Sequence, residues 1–215
     1  DLEAFNKTVN TIIQRHDIYR TTFHNENGHP YQFIHDFQPS DITVYEIPEE
    51  ELMSQIKLEV ARPFDLSAGP LFKVSIYNYA EDRCLILFNQ HHIVGDGWSY
   101  FNILFKELSA LYNAFLVNKS NPIENLKYQY ADFAVWQREF LTEEKIASQL
   151  KYWREKMDGV EVLNLPTDKP RPAVPTYHGE CITSELDSDL SSQLRALAQQ
   201  HGVTLYILLH TAFLV

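Results

Sequence analysis

A strand that runs into a histidine-rich turn and out into an amphipathic helix constrains this chain more than any other segment. Cys84-Leu85-Ile86-Leu87-Phe88 has the length and apolar content of a buried strand. His91-His92-Ile93-Val94-Gly95-Asp96-Gly97 follows. Phe101, Leu104, Phe105, Leu108, Leu111, Tyr112 and Phe115 then recur on one face of a helix pattern. Adjacent strand side chains point to opposite faces, so His91 and His92 cannot share a cavity if the strand stays regular through them. One imidazole is expected to line a site and the other to pack inside. Asp96-Gly97 suits the start of the helix: glycine permits unusual backbone angles, and the aspartate holds a neighbouring cation or caps backbone amides.

Hairpins and helices alternate around this unit. Leu2, Phe5, Val9, Ile12 and Ile13 predict a helix ending near His16. Residues 19–24 and 30–37 read as paired strands around Asn25-Glu26-Asn27-Gly28, and 42–47 as a further strand. Pro48 with Glu49, Glu50 and Glu51 opens a helix that stops near Ala61, ahead of Pro63. Residues 71–79 and 83–90 form the next hairpin, turning at Ala80-Glu81-Asp82. After a polar loop over 118–127, two helical segments run from Tyr130 to about Met157, with Phe133, Trp136, Phe140 and Trp153 supplying bulk. Pro166, Pro170 and Pro172 mark an extended connector. A strand over 180–186, a helix over 188–200 and an apolar helix from Thr204 complete the reading. The class is α/β, mixed α+β. Both ends look cut, because Asp1 opens inside a helix pattern and Val215 closes inside an apolar one.

Composition narrows the function. The 215 residues are 45% hydrophobic and 13% aromatic, enough for a sizeable core. A net charge of −11 disfavours nucleic-acid partners, which need a basic surface, and reads as a solvated acidic exterior. Two cysteines, Cys84 and Cys181, argue for a reduced compartment without a disulfide framework. No apolar run reaches the ~18 residues that span a bilayer, and the N-terminus lacks a signal-peptide pattern, so the chain reads as cytoplasmic.

The histidine turn alone admits a buried, satisfied histidine pair as well as a proton-transfer site. A metal site is disfavoured, since opposed imidazoles lack a third clustered ligand. No Gly-x-Ser-x-Gly elbow supports a serine acyl-enzyme, and with seven glycines the chain holds no phosphate-binding loop. Direct transfer remains, with one imidazole as base or hydrogen-bond director at neutral pH. His16, His24, His29, His35, His178, His201 and His210 read as surface or interior polar groups. Trp98, Trp136 and Trp153 read as core anchors.

Six ordered segments extend this reading. His91-His92-Ile93-Val94-Gly95-Asp96-Gly97 resembles the HHxxxDG signature of condensation domains of nonribosomal peptide synthetases. Residues 15–23, RHDIYRTTF, resemble the family's RHExLRTxF. Arg62-Pro63-Phe64-Asp65-Leu66 with Gly69-Pro70-Leu71-Phe72 resembles RPFDL…GPLF, and residues 130–137 resemble YxDFAxWQ. Tyr152-Trp153 with residues 165–172 resembles the passage between lobes, and residues 201–205 the start of a later helix.

The resemblance implies a chloramphenicol-acetyltransferase-like lobe over 1–160 carrying the motif, a proline-rich connector over 161–177, and the start of a second, truncated lobe over 178–215. It implies amide formation between a donor peptidyl or aminoacyl thioester and an acceptor aminoacyl amine. Both would ride on 4'-phosphopantetheine arms of donor and acceptor peptidyl carrier proteins, beside an adenylation domain, with no cofactor bound directly and no membrane or nucleic-acid partner. By position His92 is the active-site histidine, as general base or positioning group, and His91 is its structural neighbour. Asp96 is expected to pair with an arginine, Arg20 or Arg62, and Gly97 to allow close backbone approach. Gly97-Trp98-Ser99 with residues 130–136 looks most like members that take an L-configured donor. The family's first motif and most of its second lobe are absent, so the isolated chain is expected to be a poor catalyst. Two alternatives are carried: a free-standing coenzyme A-dependent acyltransferase, and a catalytically incomplete carrier-protein docking module.

Overall fold

The first helix, α1 (Leu2–Arg15), is capped by Asp1, whose carboxylate accepts the Ala4 amide at 2.8 Å. The computed structural model describes residues 1–176 and 179–215 and divides into two units, Asp1–Asp158 and Gly159–Val215.

In the first unit, a 3-10 turn at Asp17–Arg20 leads into β1 (Thr21–Glu26), which pairs antiparallel with β2 (His29–Ile34). Asn27 and Gly28 connect them, both with positive φ (52° and 86°), as the tight turn of a twisted hairpin requires. The expected strand from Tyr19 therefore starts two residues later, because Asp17–Arg20 coil before pairing begins. The second sheet runs β3-β4-β5 (Thr43–Glu46, Phe72–Ala80, Arg83–Gln90). β3 and β4 are parallel, which demands a crossover, and α2 (Glu49–Ala61) supplies it. β4 and β5 form an antiparallel hairpin with an irregularity between Asn78 and Ala80.

The central strand β4 is covered on both faces. Phe72 and Ile76 join Phe5, Val9 and Ile12 of α1 in one apolar cluster. Leu111 and Phe115 of α4 (Phe105–Leu116) complete it. Tyr77 lies on the opposite face from Ile76 and is 1% exposed, with α2 packed on the same strand. Burying Ile12 or Leu111 stabilises the fold by roughly 1.5–3 kcal/mol each.

The helix after the histidines is not uniform. It opens with one α-turn, α3 (Gly97–Ser99), passes through a π-turn at Tyr100–Leu104, and only then becomes α4. The π-turn rotates the early positions out of register, so Phe101, expected on the buried face, is 70% exposed. α5 (Tyr130–Phe140) and α6 (Glu143–Met157) follow as expected. Their aromatic residues do not. Trp136 and Trp153 are exposed, as is Trp98, so none of the three anchors the core as their apolar surface suggested.

The second unit holds α7 (Ser188–Gln200) and α8 (Leu205–Leu214), capped by Asp187 and Thr204. No strand forms over 180–186: no other strand pairs with this segment among the described residues, and Ile182 stands exposed. The expected 177/178 boundary and His178 lie outside the described residues.

Candidate active site

β5 ends at Gln90, and the two histidines part there. The His91 amide extends the pairing by donating to the Leu71 carbonyl at 2.9 Å. The His91 ring turns back on its own loop: Nδ1 accepts the Ile93 amide at 3.0 Å, and the ring meets Phe64 edge-on at 6.1 Å. His92 opens a 3-10 turn, His92–Val94, pinned by Val94 in the core. The turn leaves His92 exposed on a cavity of about 710 Å³. The divergence expected from strand alternation is thus produced by the end of the strand and the turn after it.

Asp96 closes the loop as a helix cap. Its Oδ1 accepts the Ser99 hydroxyl at 2.6 Å and the Ser99 amide at 2.8 Å. Those two bonds, the hydroxyl's first, hold its carboxyl below the usual aspartate range. Among the described residues neither expected arginine bonds to it. Arg20 pairs with Asp17 and donates to the His35 carbonyl at 2.5 Å, while Arg62 pairs with Glu59 at 3.0 Å. Each arginine is taken by an acid three residues before it, and Ser99 supplies the donors that an arginine would have given Asp96. A Cβ built on Gly97 meets no atom within 4 Å, so the space above this glycine is open.

The opposite wall of the cavity comes from the end of α1 and from α4. Glu107 accepts from His16 Nε2 at 2.7 Å and from Arg15 Nε at 3.0 Å. Burial pushes its carboxyl upward, but the His16 and Arg15 contacts outweigh burial and hold it below the usual range. Gln129, at the N-cap of α5, braces this wall. Its Nε2 donates to the Arg15 carbonyl at 2.9 Å, and its Oε1 accepts the Asp17 amide at 3.1 Å. Tyr128 and Tyr130 on either side of it face the cavity. Tyr100 fastens the π-turn to β5 through a 2.8 Å bond to the Phe88 carbonyl, and burial pushes its hydroxyl up to about 12.

His16, Tyr19, Glu107 and Gln129 reach this cavity although sequence reasoning gave none of them a role in the site. Glu107 bonds a residue 91 positions away and Gln129 one 114 positions away, separations to which local periodicity is blind. Among the described residues no group of three or more His, Cys, Asp or Glu side chains could hold a metal ion. Among the described residues no helix is long and apolar enough to cross a membrane. Chemically, the cavity offers an exposed imidazole, a loop capped by Asp96, and a charge-paired wall.

A family model described as the condensation domain matches residues 1–215. A linear gramicidin synthase of Brevibacillus parabrevis is 43% identical over 223 residues, covering 100% of this chain and 4% of that protein. Gramicidin S synthase 2 of Aneurinibacillus migulanus is 36% identical over 214 residues, covering 99% of this chain and 5% of that protein. The chain therefore spans a small part of the curated relatives it matches. The crystal structure of the X-domain from teicoplanin biosynthesis superposes with a TM-score of 0.82 at 25% identity, over 95% of this chain and 46% of that one.

Proposed function

This chain belongs to the condensation-domain family, with the family's mixed α/β, chloramphenicol-acetyltransferase-like fold, and we propose that it carries the histidine side of an amide-forming site. The amine of a carrier-bound aminoacyl acceptor attacks the thioester carbonyl of a carrier-bound donor. A C–N bond forms, the C–S bond breaks, the amine gives up a proton and the pantetheine thiolate takes one. His92 accepts the amine's proton or holds the amine in line. His91 fixes the loop, Asp96 caps the turn behind it, and Gly97 leaves room for the thioester.

The observation that carries this reading is His92 exposed on the 710 Å³ cavity while His91 turns back onto its own loop. A cavity of that size suits an acyl chain and the end of a pantetheine arm. On this reading residues 1–160 hold the site, 161–177 connect and 178–215 begin a second lobe. Donor and acceptor peptidyl carrier proteins and an adenylation domain are the partners. Gly97-Trp98-Ser99 supports an L-configured donor.

The test is intact-protein mass spectrometry of amide transfer between loaded carriers, using the whole protein that contains this chain. His92→Ala is expected to lower transfer at least a hundredfold. Transfer at the original rate by His92→Ala would overturn the assignment.

A further inference from the structure

Asn102 and Lys106 bring two polar groups to the helical wall of the His92 cavity that the site described above leaves unused. Asn102 stands in the π-turn Tyr100–Leu104, and Lys106 follows about one turn later in α4. Both border this cavity, and neither borders the neighbouring one of about 630 Å³, so both belong to the His92 side. Widened turns of this kind recur at functional sites, and here the Tyr100 bond to the Phe88 carbonyl fastens the turn to β5.

Among the described residues Lys106 forms no ion pair, and the Asn102 carboxamide makes no hydrogen bond. A helical lysine finds an acid three or four positions away, where this chain has Asn102, Ile103, Ser109 and Ala110. The cavity's own acids are engaged elsewhere. Glu107 is held by Arg15 and His16, and Asp96 by Ser99. Asp96 also precedes Lys106 by about 15 Å along the helix. Ile18, Ile93, Ile103 and Leu126 line the same space, and apolar walls screen a charge less than water does. A net charge of −11 makes the chain as a whole repel acidic groups, so an unpaired cation in the cavity marks where one can be accepted.

We propose that Lys106, with the Asn102 carboxamide beside it, selects a donor acyl group whose side chain ends in a carboxylate. This rests on the acyl-transfer reading above. Side chains one helical turn apart stand about 5–6 Å from each other at Cβ, close enough for one carboxylate to accept from both. The ammonium and the amide N–H are donors, and the two carboxylate oxygens are acceptors only, so the groups are complementary. A cationic side chain in the same place is repelled, and a neutral one leaves the ammonium without an anion.

The test uses the whole protein that contains this chain and two donors of one shape and different charge, glutamyl and glutaminyl thioesters loaded on the carrier. The two compete in one mixture, and intact-protein mass spectrometry reads the ratio of amide products. The unaltered protein is expected to favour glutamyl about fivefold. Lys106→Met should erase the preference, Lys106→Glu should turn it toward glutaminyl, and Asn102→Ala should roughly halve it. Lys106 is exposed and outside the apolar cluster, so its variants leave the core as it is. A ratio that Lys106→Glu leaves unmoved would overturn the assignment. An equal fall for both donors would do the same, by putting the lysine on the phosphate of the pantetheine arm. Binding of glutamyl and glutaminyl N-acetylcysteamine thioesters separates the two readings. If no amide forms but binding shows a glutamyl preference that Lys106→Glu reverses, the Lys106 site stands and the acyl-transfer reading falls. If His92-dependent transfer is intact and both donors react equally, the Lys106 proposal alone falls.

Discussion

Glu107 and His16 meet at 2.7 Å across the wall of the His92 cavity, and Arg15 holds the same carboxylate from the other oxygen at 3.0 Å. All three side chains are more than four-fifths buried, so the pair is poorly screened. Glu107→Gln is expected to cost about 2 kcal/mol at neutral pH by removing the charged acceptor. Because the folded carboxyl lies below its unfolded value, its contribution is whole above the ordinary carboxylate range. It drains away as pH falls through the lowered value. Urea midpoints measured from about pH 7 to about pH 3 should show the variant's deficit shrinking with acidity. A deficit constant across that range would reject the charge-based account.

Much of the scaffold was legible because it follows local rules. α1, α2, α7 and both hairpins end close to where apolar period, proline and Asn-Gly place them. The failures have local and non-local causes. Phe101 left the buried face because the π-turn at Tyr100–Leu104 shifts the register. Which apolar face is covered also depends on what packs against it, so Trp136 and Trp153 carried the right residue types without the neighbours that would bury them. The strand expected over 180–186 likewise has no strand to pair with among the described residues. At the site, His91 and His92 part as expected, but through the end of β5 at Gln90 and the 3-10 turn after it rather than through strand alternation. The Ser99 cap on Asp96 displaced the expected arginine because a hydroxyl three residues away reaches the carboxylate locally. The Glu107 and Gln129 contacts span separations that a local pattern cannot report.

The Asp96 loop yields a test of that displacement. Asp96→Ala removes the acceptor for both Ser99 donors and frees the start of α3, so amide transfer should fall on the order of 10–100-fold as His92 loses its fixed position. Asp96→Asn keeps an oxygen acceptor and should retain most of the rate. Arg62→Ala breaks only the pair with Glu59, mostly exposed on the arginine side, and should leave the rate within about twofold. A collapse with Arg62→Ala matching Asp96→Ala would restore the arginine as the working partner.

Gln129 binds the 128–130 wall to the end of α1 with the donor and the acceptor of one side-chain amide. Gln129→Glu should destabilise the fold by about 2 kcal/mol, since a carboxylate faces the Arg15 carbonyl without a proton to offer. Hydrogen exchange at the Asp17 amide should quicken in the variant. Unchanged exchange there would mean the brace is not made in solution.

Leu111 and Trp136 separate apolar character from burial. Leu111 is 0% exposed in the α1–β4–α4 cluster, so Leu111→Ala should cost about 3–4 kcal/mol through lost burial and a residual cavity. Trp136, though larger, is 52% exposed, and Trp136→Ala should cost under about 1 kcal/mol. Denaturant midpoints on the two variants decide it, and a reversed order would place the core elsewhere.

Gly97 separates a structural glycine from one kept clear for substrate. A Cβ there meets no protein atom within 4 Å, so Gly97→Ala should fold with unchanged or slightly higher stability. The residue begins α3 directly after Asp96, where alanine is a good helix former. The added methyl nonetheless occupies the space above the loop that the proposed thioester must enter. Amide transfer should therefore fall on the order of tenfold or more while the thermal midpoint holds. Loss of both stability and transfer would make the glycine a folding requirement. Retention of both would move the thioester away from this loop, and the path of the pantetheine arm would then have to run along the Tyr128–Tyr130 side of the cavity instead.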